Sequence, residues 1–317
     1  MPSTSNHEGR VLQVLITGFG AFRNYEDNPS WLAVRGLHGA RLDLSTTPEF
    51  NPGPESSNPV STSGAAVAHI QCIQVPVHYG SILDIVPRLH GSKKPYSPHA
   101  EKWFDERCDD TGLAGEEGKH YPNGYRIEHP EDGFDVIIHV GVGKTGALRV
   151  ETLGHKVGYK HEDAREDLAP EVIQANIAAD SDTNGKGLSD DYSQIEYDPS
   201  VANEELFKDG KLRGFGEGYE AFHLEERTTV NVPDIVERLK QQGMGGNVCQ
   251  SENAGRYLCD FIFYCSLCEA KRRSKQGVKK ASVLFLHVPP IDKDLSTESC
   301  TSAIRCIAWY LATAQTS

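Results

Sequence analysis

VLQVLITGFGAF, residues 11–22, decides the fold. Val11, Leu12, Val14, Leu15 and Ile16 make a nearly continuous apolar run. Strands buried on both faces of a parallel sheet read this way, whereas a strand with one wet face alternates. The run meets Gly18 and Gly20, and NPSWLAVRGL follows at 28–37. Asn28 is placed there as a helix cap and Pro29 in the first turn. Strand, glycine turn, helix is the opening of an α/β sheet.

The pattern recurs outward from this point. FDVIIHVGVG, from Phe134, and ASVLFLHVPP, from Ala281, are further buried strands that feed Gly- or Pro-rich loops. AHIQCIQVPV, from Ala68, is another strand, and SILDIVPRL after it has helix-like spacing that Pro87 weakens. NVPDIVERLKQQG predicts a helix stopped by Gly243. TSAIRCIAWYLATA, from Thr301, predicts an amphipathic helix. The alternation implies an α/β fold with an at least partly parallel sheet. Active sites of such sheets gather beyond the carboxyl ends of the strands, here the loops after Ile16, Val140 and Leu286.

The 317 residues are expected to form a single α/β domain with surface insertions. Residues 41–65 are rich in Ser, Thr, Pro, Asn and Gly, residues 91–131 are polar and acidic, and part of 160–225 is mixed and charged. The chain has 32 basic against 45 acidic residues, net −13, which disfavours nucleic acid and anionic membranes as partners. No apolar run approaches the roughly 18 residues of a membrane span. MPSTSNHEGR lacks the apolar core of a signal peptide. The expected location is the cytoplasm, where the eight cysteines would be reduced thiols.

Neither glycine loop completes a nucleotide motif. TGFGAF continues into Phe22-Arg23, and GVGKTG at 141–146 has Ile138 where a phosphate loop opens with glycine. Both read as tight turns. Cys265 and Cys268 form a CxxC with no second pair to complete a zinc site, and their spacing puts both on one packed helix face.

Cys259, in SENAGRYLCDFIFYCSLCEAKRR (251–273), is different. A cysteine between Leu258 and Phe261 reads as core by itself. However, His287 ends a buried strand in LFLHVPP, and Glu151 follows the glycine loop of another. A thiol, an imidazole and a carboxylate at the mouths of separate elements are the parts of a cysteine hydrolase. Spacing leaves the core and catalytic readings both open.

Four segments carry a resemblance. TGFGAF with NPSW, HVGVG…ETLGHKVGY, SENAGRYLCDFIFY and LFLHVPP resemble, in order, the N-terminal, glutamate, nucleophile and histidine segments of the pyroglutamyl peptidase I (pyrrolidone-carboxylate peptidase) family of cysteine peptidases. AGRYLCDF and GHKVGY look like its animal-type versions. The resemblance implies a three-layer α/β/α sandwich, phosphorylase/hydrolase-like, with a mixed, partly parallel central sheet. It implies Cys259 as nucleophile, His287 as base and Glu151 as third member. Phe19, Phe22 and Asn28 match residues lining the pyroglutamyl pocket, and Tyr257 and Leu258 match substrate contacts beside the nucleophile. Val142 stands where many bacterial members have a glutamine. Ala21, Arg23 and Asp260 also depart from common family residues.

The activity implied is a cysteine omega peptidase. It would hydrolyse the amide bond after an N-terminal pyroglutamyl residue through a thioester, with no cofactor or metal. Its partners would be N-terminally pyroglutamylated peptides; monomers and homo-oligomers both occur in the family. Cys259 is expected near the start of its helix, where backbone N–H groups favour a thiolate and can hold an oxyanion. Two other readings stand beside this one. One is a non-catalytic module recognising pyroglutamyl N-termini, for which the intact trio has no use. The other is a cysteine hydrolase of a different cyclic amide.

Overall fold

The computed structural model describes residues 11–22, 25–50, 66–103, 127–131, 133–172, 207–278, 280–291 and 293–316. The remainder of the stretches expected as insertions, 51–65, 104–126 and 173–206, lies outside the described residues.

In chain order the elements are β1 (Val11–Phe19), α1 (Pro29–Arg35), β2 (Arg41–Asp43), β3 (Val67–Val75), α2 (Tyr79–Leu89), β4 (Val136–Val142), β5 (Leu148–Glu151), β6 (Leu153–His155), β7 (Phe207–Lys208), β8 (Lys211–Leu212), β9 (Glu225–Arg227), α3 (Val232–Leu239), β10 (Val248–Ser251), α4 (Leu258–Lys275), β11 (Ser282–Val288) and α5 (Thr297–Thr313). A seven-stranded sheet runs β10-β5-β11-β4-β1-β3-β2. Its centre, β3, β1, β4 and β11, is parallel. β5 runs antiparallel to β11, and β2 antiparallel to β3, so the sheet is mixed.

The continuous apolar runs are explained by burial on both faces. Leu12, Val14 and Ile16 of β1, with Val136, Ile138, Val140, Leu284 and Leu286, pack against α1, α3 and α5. Leu15, Phe19, Ile137, Val283 and Phe285 face the other way, into α2 and α4. The result is the three-layer sandwich. Each fully buried aliphatic or aromatic side chain contributes roughly 1.5–3 kcal/mol.

Local signals behave as their chemistry requires. Asn28 caps α1, its Oδ1 accepting the Ser30 N–H at 3.1 Å. Helix α2 runs through Pro87, which falls in its last turn. The helix buries Ile82, Leu83, Ile85, Val86 and Leu89, and that packing outweighs one lost hydrogen bond. Beyond α3, a single wide turn over Lys240–Met244 holds Gly243 at φ 110°, where glycine is needed. The polar stretch from 41 begins with edge strand β2, so its first three residues belong to the sheet.

Candidate active site

The sheet register builds one half of the site. Strands β11 and β5 pair antiparallel, with His287 opposite Arg149 and Phe285 opposite Glu151. Glu151 and His287 are therefore diagonal neighbours on one face, within reach of each other's side chains. The ring Nδ1 donates to Glu151 Oε1 at 2.8 Å. Glu151 is wholly buried, and its Oε2 has no hydrogen-bond partner among the described residues.

The helix start supplies the other half. Ser251, last residue of β10, lies opposite Glu151, and its carbonyl accepts the Thr152 N–H at 2.9 Å. The chain then turns through Gly255 (φ 90°) and Arg256 (φ 46°) into α4. Arg256, unusual in this conformation, is anchored by its guanidinium on the Val157 carbonyl at 2.6 Å. Cys259 follows as the second residue of α4, half-buried, as the sequence predicts. Its thiol lies beside the His287 ring, close enough to be the first influence that raises the pKa of that ring.

Gly141, near the end of β4, and Gly143, in the loop just beyond it, make room for both groups. A Cβ on Gly141 would stand 2.7 Å from Cys259 Sγ and 2.8 Å from Phe285 Cζ. One on Gly143 would stand 2.9 Å from His287 Cβ. Read from sequence as tight turns, these glycines are points of close approach. The loop leads into strand β5 and not into a helix, unlike a phosphate-binding loop.

Burial pulls the His287 pKa down. The neighbouring Cys259 thiol, followed by the hydrogen bond and charge of Glu151, outweighs it and raises the value to about 9. The arrangement is thus an imidazolium at neutral pH, set between the Cys259 thiol and the Glu151 carboxylate. His139 shows the contrast of a structural histidine. It is buried against Thr17 Oγ1 at 2.9 Å, and burial, with His90 nearby, lowers it to about 3. The seven cysteines among the described residues are free thiols. Burial pushes Cys265 and Cys268 well above the ordinary range, which fits packing on a helix face. Among the described residues no cluster of His, Cys, Asp or Glu could hold a metal ion.

The other expected site residues divide by position. Half-buried Phe22 meets Tyr257 at a ring distance of 5.8 Å, and Tyr257 also meets Tyr79 and His161 at 6.2 and 6.0 Å. The Tyr257 hydroxyl donates to the Glu162 carbonyl at 2.8 Å. Phe19 and Leu258 sit in the core beneath, 4% and 1% exposed. Asn28 is buried, its Nδ2 donating to the Gly20 carbonyl at 3.0 Å, so it holds the loop that carries Phe22. Val142 ends β4 opposite Val288, next to Gly141. Arg23 lies outside the described residues. His155 was not singled out from the sequence, nor Asp260 as more than a departure. They form a second imidazole–carboxylate pair beside the nucleophile.

A thiol at a helix N-terminus, beside an imidazole that a buried carboxylate fixes, is the constellation of a cysteine hydrolase. The family model described as pyroglutamyl peptidase matches residues 217–306, which hold Cys259 and His287. Pyroglutamyl-peptidase 1 of Mus musculus is 22% identical over 295 residues, 93% of this chain and 87% of the relative, and the Homo sapiens protein gives the same values. Pyroglutamyl peptidase I of Bacillus amyloliquefaciens aligns with a TM-score of 0.52 at 19% identity, covering 96% of this chain and 97% of its own. Pyrrolidone carboxyl peptidase of Pyrococcus furiosus aligns with a TM-score of 0.52 at 15% identity, covering 96% and 99%. The chain is similar to the pyroglutamyl peptidase I family in sequence and in fold.

Proposed function

We propose that this protein is a cysteine peptidase that hydrolyses the amide bond after an N-terminal pyroglutamyl residue. The observation that carries the reading is the series in which the Cys259 thiol stands beside His287 and His287 is hydrogen-bonded to Glu151, at one rim of a fold like that of pyroglutamyl peptidases. The half-buried aromatic pair of Phe22 and Tyr257 stands beside it, suited to a flat, neutral lactam.

Cyclisation removes the amino charge of the substrate, so recognition rests on burial and on hydrogen bonds to the lactam. The Cys259 thiolate attacks the scissile carbonyl carbon. Backbone N–H groups of the first turn of α4 stabilise the oxyanion, typically by about 2.7–4 kcal/mol per donor. The His287 imidazolium gives its proton to the leaving amine, which departs as the thioester forms. The now neutral His287 takes a proton from water, the hydroxide attacks the thioester, and free pyroglutamate leaves. Glu151 holds the ring orientation and stabilises its cationic form throughout. The chemistry needs a reduced thiol, which fits a reducing compartment such as the cytoplasm. Among the described residues no helix is long and apolar enough to cross a membrane.

The test is hydrolysis of a fluorogenic pyroglutamyl amide under reducing conditions, wild type beside Cys259→Ala. Turnover by the wild type and none by the variant supports the reading. Equal rates make Cys259 a structural thiol, and no wild-type turnover on folded protein removes the activity.

A further inference from the structure

Asp260 is the third residue of α4, directly after the nucleophile. An acidic side chain there commonly turns back to cap its own helix. This one turns away. Its Oδ1 accepts the backbone N–H of His155 at 3.0 Å, and its Oδ2 takes the Nδ1–H of the same ring at 2.8 Å. Asp260 is fully buried and His155 nearly so. Tyr257, at the helix start, makes no side-chain cap either, so the first-turn N–H groups stay clear of both side chains.

His155 closes β6, four residues beyond Glu151. Its carbonyl accepts the Tyr159 hydroxyl, and the Tyr159 ring meets Phe261 of α4 edge-on at 5.0 Å. On the paired strand β9, Glu225 Oε1 stands 3.9 Å from His155 Nε2. The segment that carries Glu151 is thus fastened at His155 to the helix that carries the thiol.

We propose that Asp260 and His155 form a clamp that sets the position of Cys259 against His287 and Glu151. Both are positioning residues, and the proposal rests on Cys259 being the nucleophile. A buried carboxylate is tolerated only when its hydrogen bonds are made, which concentrates its energy on one geometry. The start of α4 cannot slide or rotate against β6 without breaking two such bonds. Charge alone acts in the opposite sense, because a carboxylate next to a thiol disfavours the thiolate. The contribution of Asp260 is positional.

The test is the pH profile of Cys259 alkylation by iodoacetamide, followed on its own peptide by mass spectrometry, together with kcat and KM. For Asp260→Ala the clamp predicts a thiolate profile moved up by about one pH unit, about a tenfold smaller thiolate fraction at a given pH below it. It also predicts a lower kcat at unchanged KM. Asp260→Asn, whose carbonyl still accepts the His155 N–H, regains most of both. An unchanged profile and kcat in Asp260→Ala with only a lower Tm overturns the clamp. So does an Asp260→Asn as impaired as the alanine variant. Should Asp260→Ala fail to fold, His155→Ala decides on the same readouts. It removes the ring contact and keeps the backbone bond, and a profile like wild type sinks the proposal. The alkylation profile needs no substrate, so it reads the clamp even where pyroglutamyl amides are not hydrolysed.

Discussion

Gly141 and Cys259 share one space: a Cβ on residue 141 would come to 2.7 Å from the thiol sulfur. The same Cβ would press on Phe285 Cζ at 2.8 Å. Gly141 lies within β4 and is not among the residues of positive φ, so alanine fits its backbone and conflicts only with what lies above it. Gly141→Ala is expected to displace Sγ from His287 and remove hydrolysis of a pyroglutamyl amide. The fold should survive with a loss of roughly 1–3 kcal/mol, as for overpacking elsewhere. Turnover near wild type would show that the thiol has room to spare. Activity and thermal melting of the one variant measure both effects.

The raised pKa of His287 fixes one limb of the pH profile. In the proposed mechanism its imidazolium donates to the leaving amine, so the rate requires the protonated ring. The ordinary value of 6.5 is raised to about 9, so the ring keeps its proton at neutral pH and loses it as pH climbs through 9. The profile of kcat/KM is therefore expected to fall above about pH 9. Cys259→Ala removes the largest influence raising that value, and the His287 pKa should drop in that variant. Titration of the His287 ring resonances by NMR in both proteins checks this. A value that stays near 9 without the thiol would show that Cys259 is not what raises it.

Glu151→Gln isolates charge from shape. The amide oxygen still accepts the Nδ1–H that Glu151 Oε1 accepts at 2.8 Å, and the volume is conserved. What disappears is the negative charge stabilising the imidazolium. kcat is expected to fall on the order of 10²–10⁴-fold, the range that a positioned acid–base group supplies, with KM little changed. A loss below threefold would mean that orientation, and not charge, is what Glu151 contributes.

The centre of this fold was legible because its strands are apolar on both faces. Val11–Ile16, the run from Phe134 and the run from Ala281 need no partner to be recognised. The short outer strands were not. In β2 only Leu42 is buried, and β10 reads Val-Cys-Gln-Ser, a segment whose pairing with β5 is chosen by tertiary contact. The trio was readable as three residue types at three element ends. The antiparallel run of β5 that makes Glu151 and His287 diagonal neighbours was not, since four residues carry no record of direction. Asp260 and His155 are 105 residues apart in the chain, and their pairing has no local signature. The sequence clues were the departure of Asp260 from the common family residue and a charge opening the mostly apolar DFIFYCSLC.

Gly154 carries a prediction of a different kind, because its neighbour is backbone. A Cβ there would stand 2.9 Å from Tyr264 Cα and 3.0 Å from Tyr264 N, so β6 and α4 are in main-chain contact. A side chain can rotate aside, but a helix has to move as a body. Gly154→Ala is expected to cost roughly 1–3 kcal/mol. The same shift carries Cys259, five residues earlier on α4, away from Glu151, three residues before Gly154. Activity in the folded fraction should therefore fall further than stability does. Gly246→Ala is the control, with nothing within 4 Å of its Cβ and no positive φ. If the two variants melt and turn over alike, β6 and α4 are not held as close as this geometry requires.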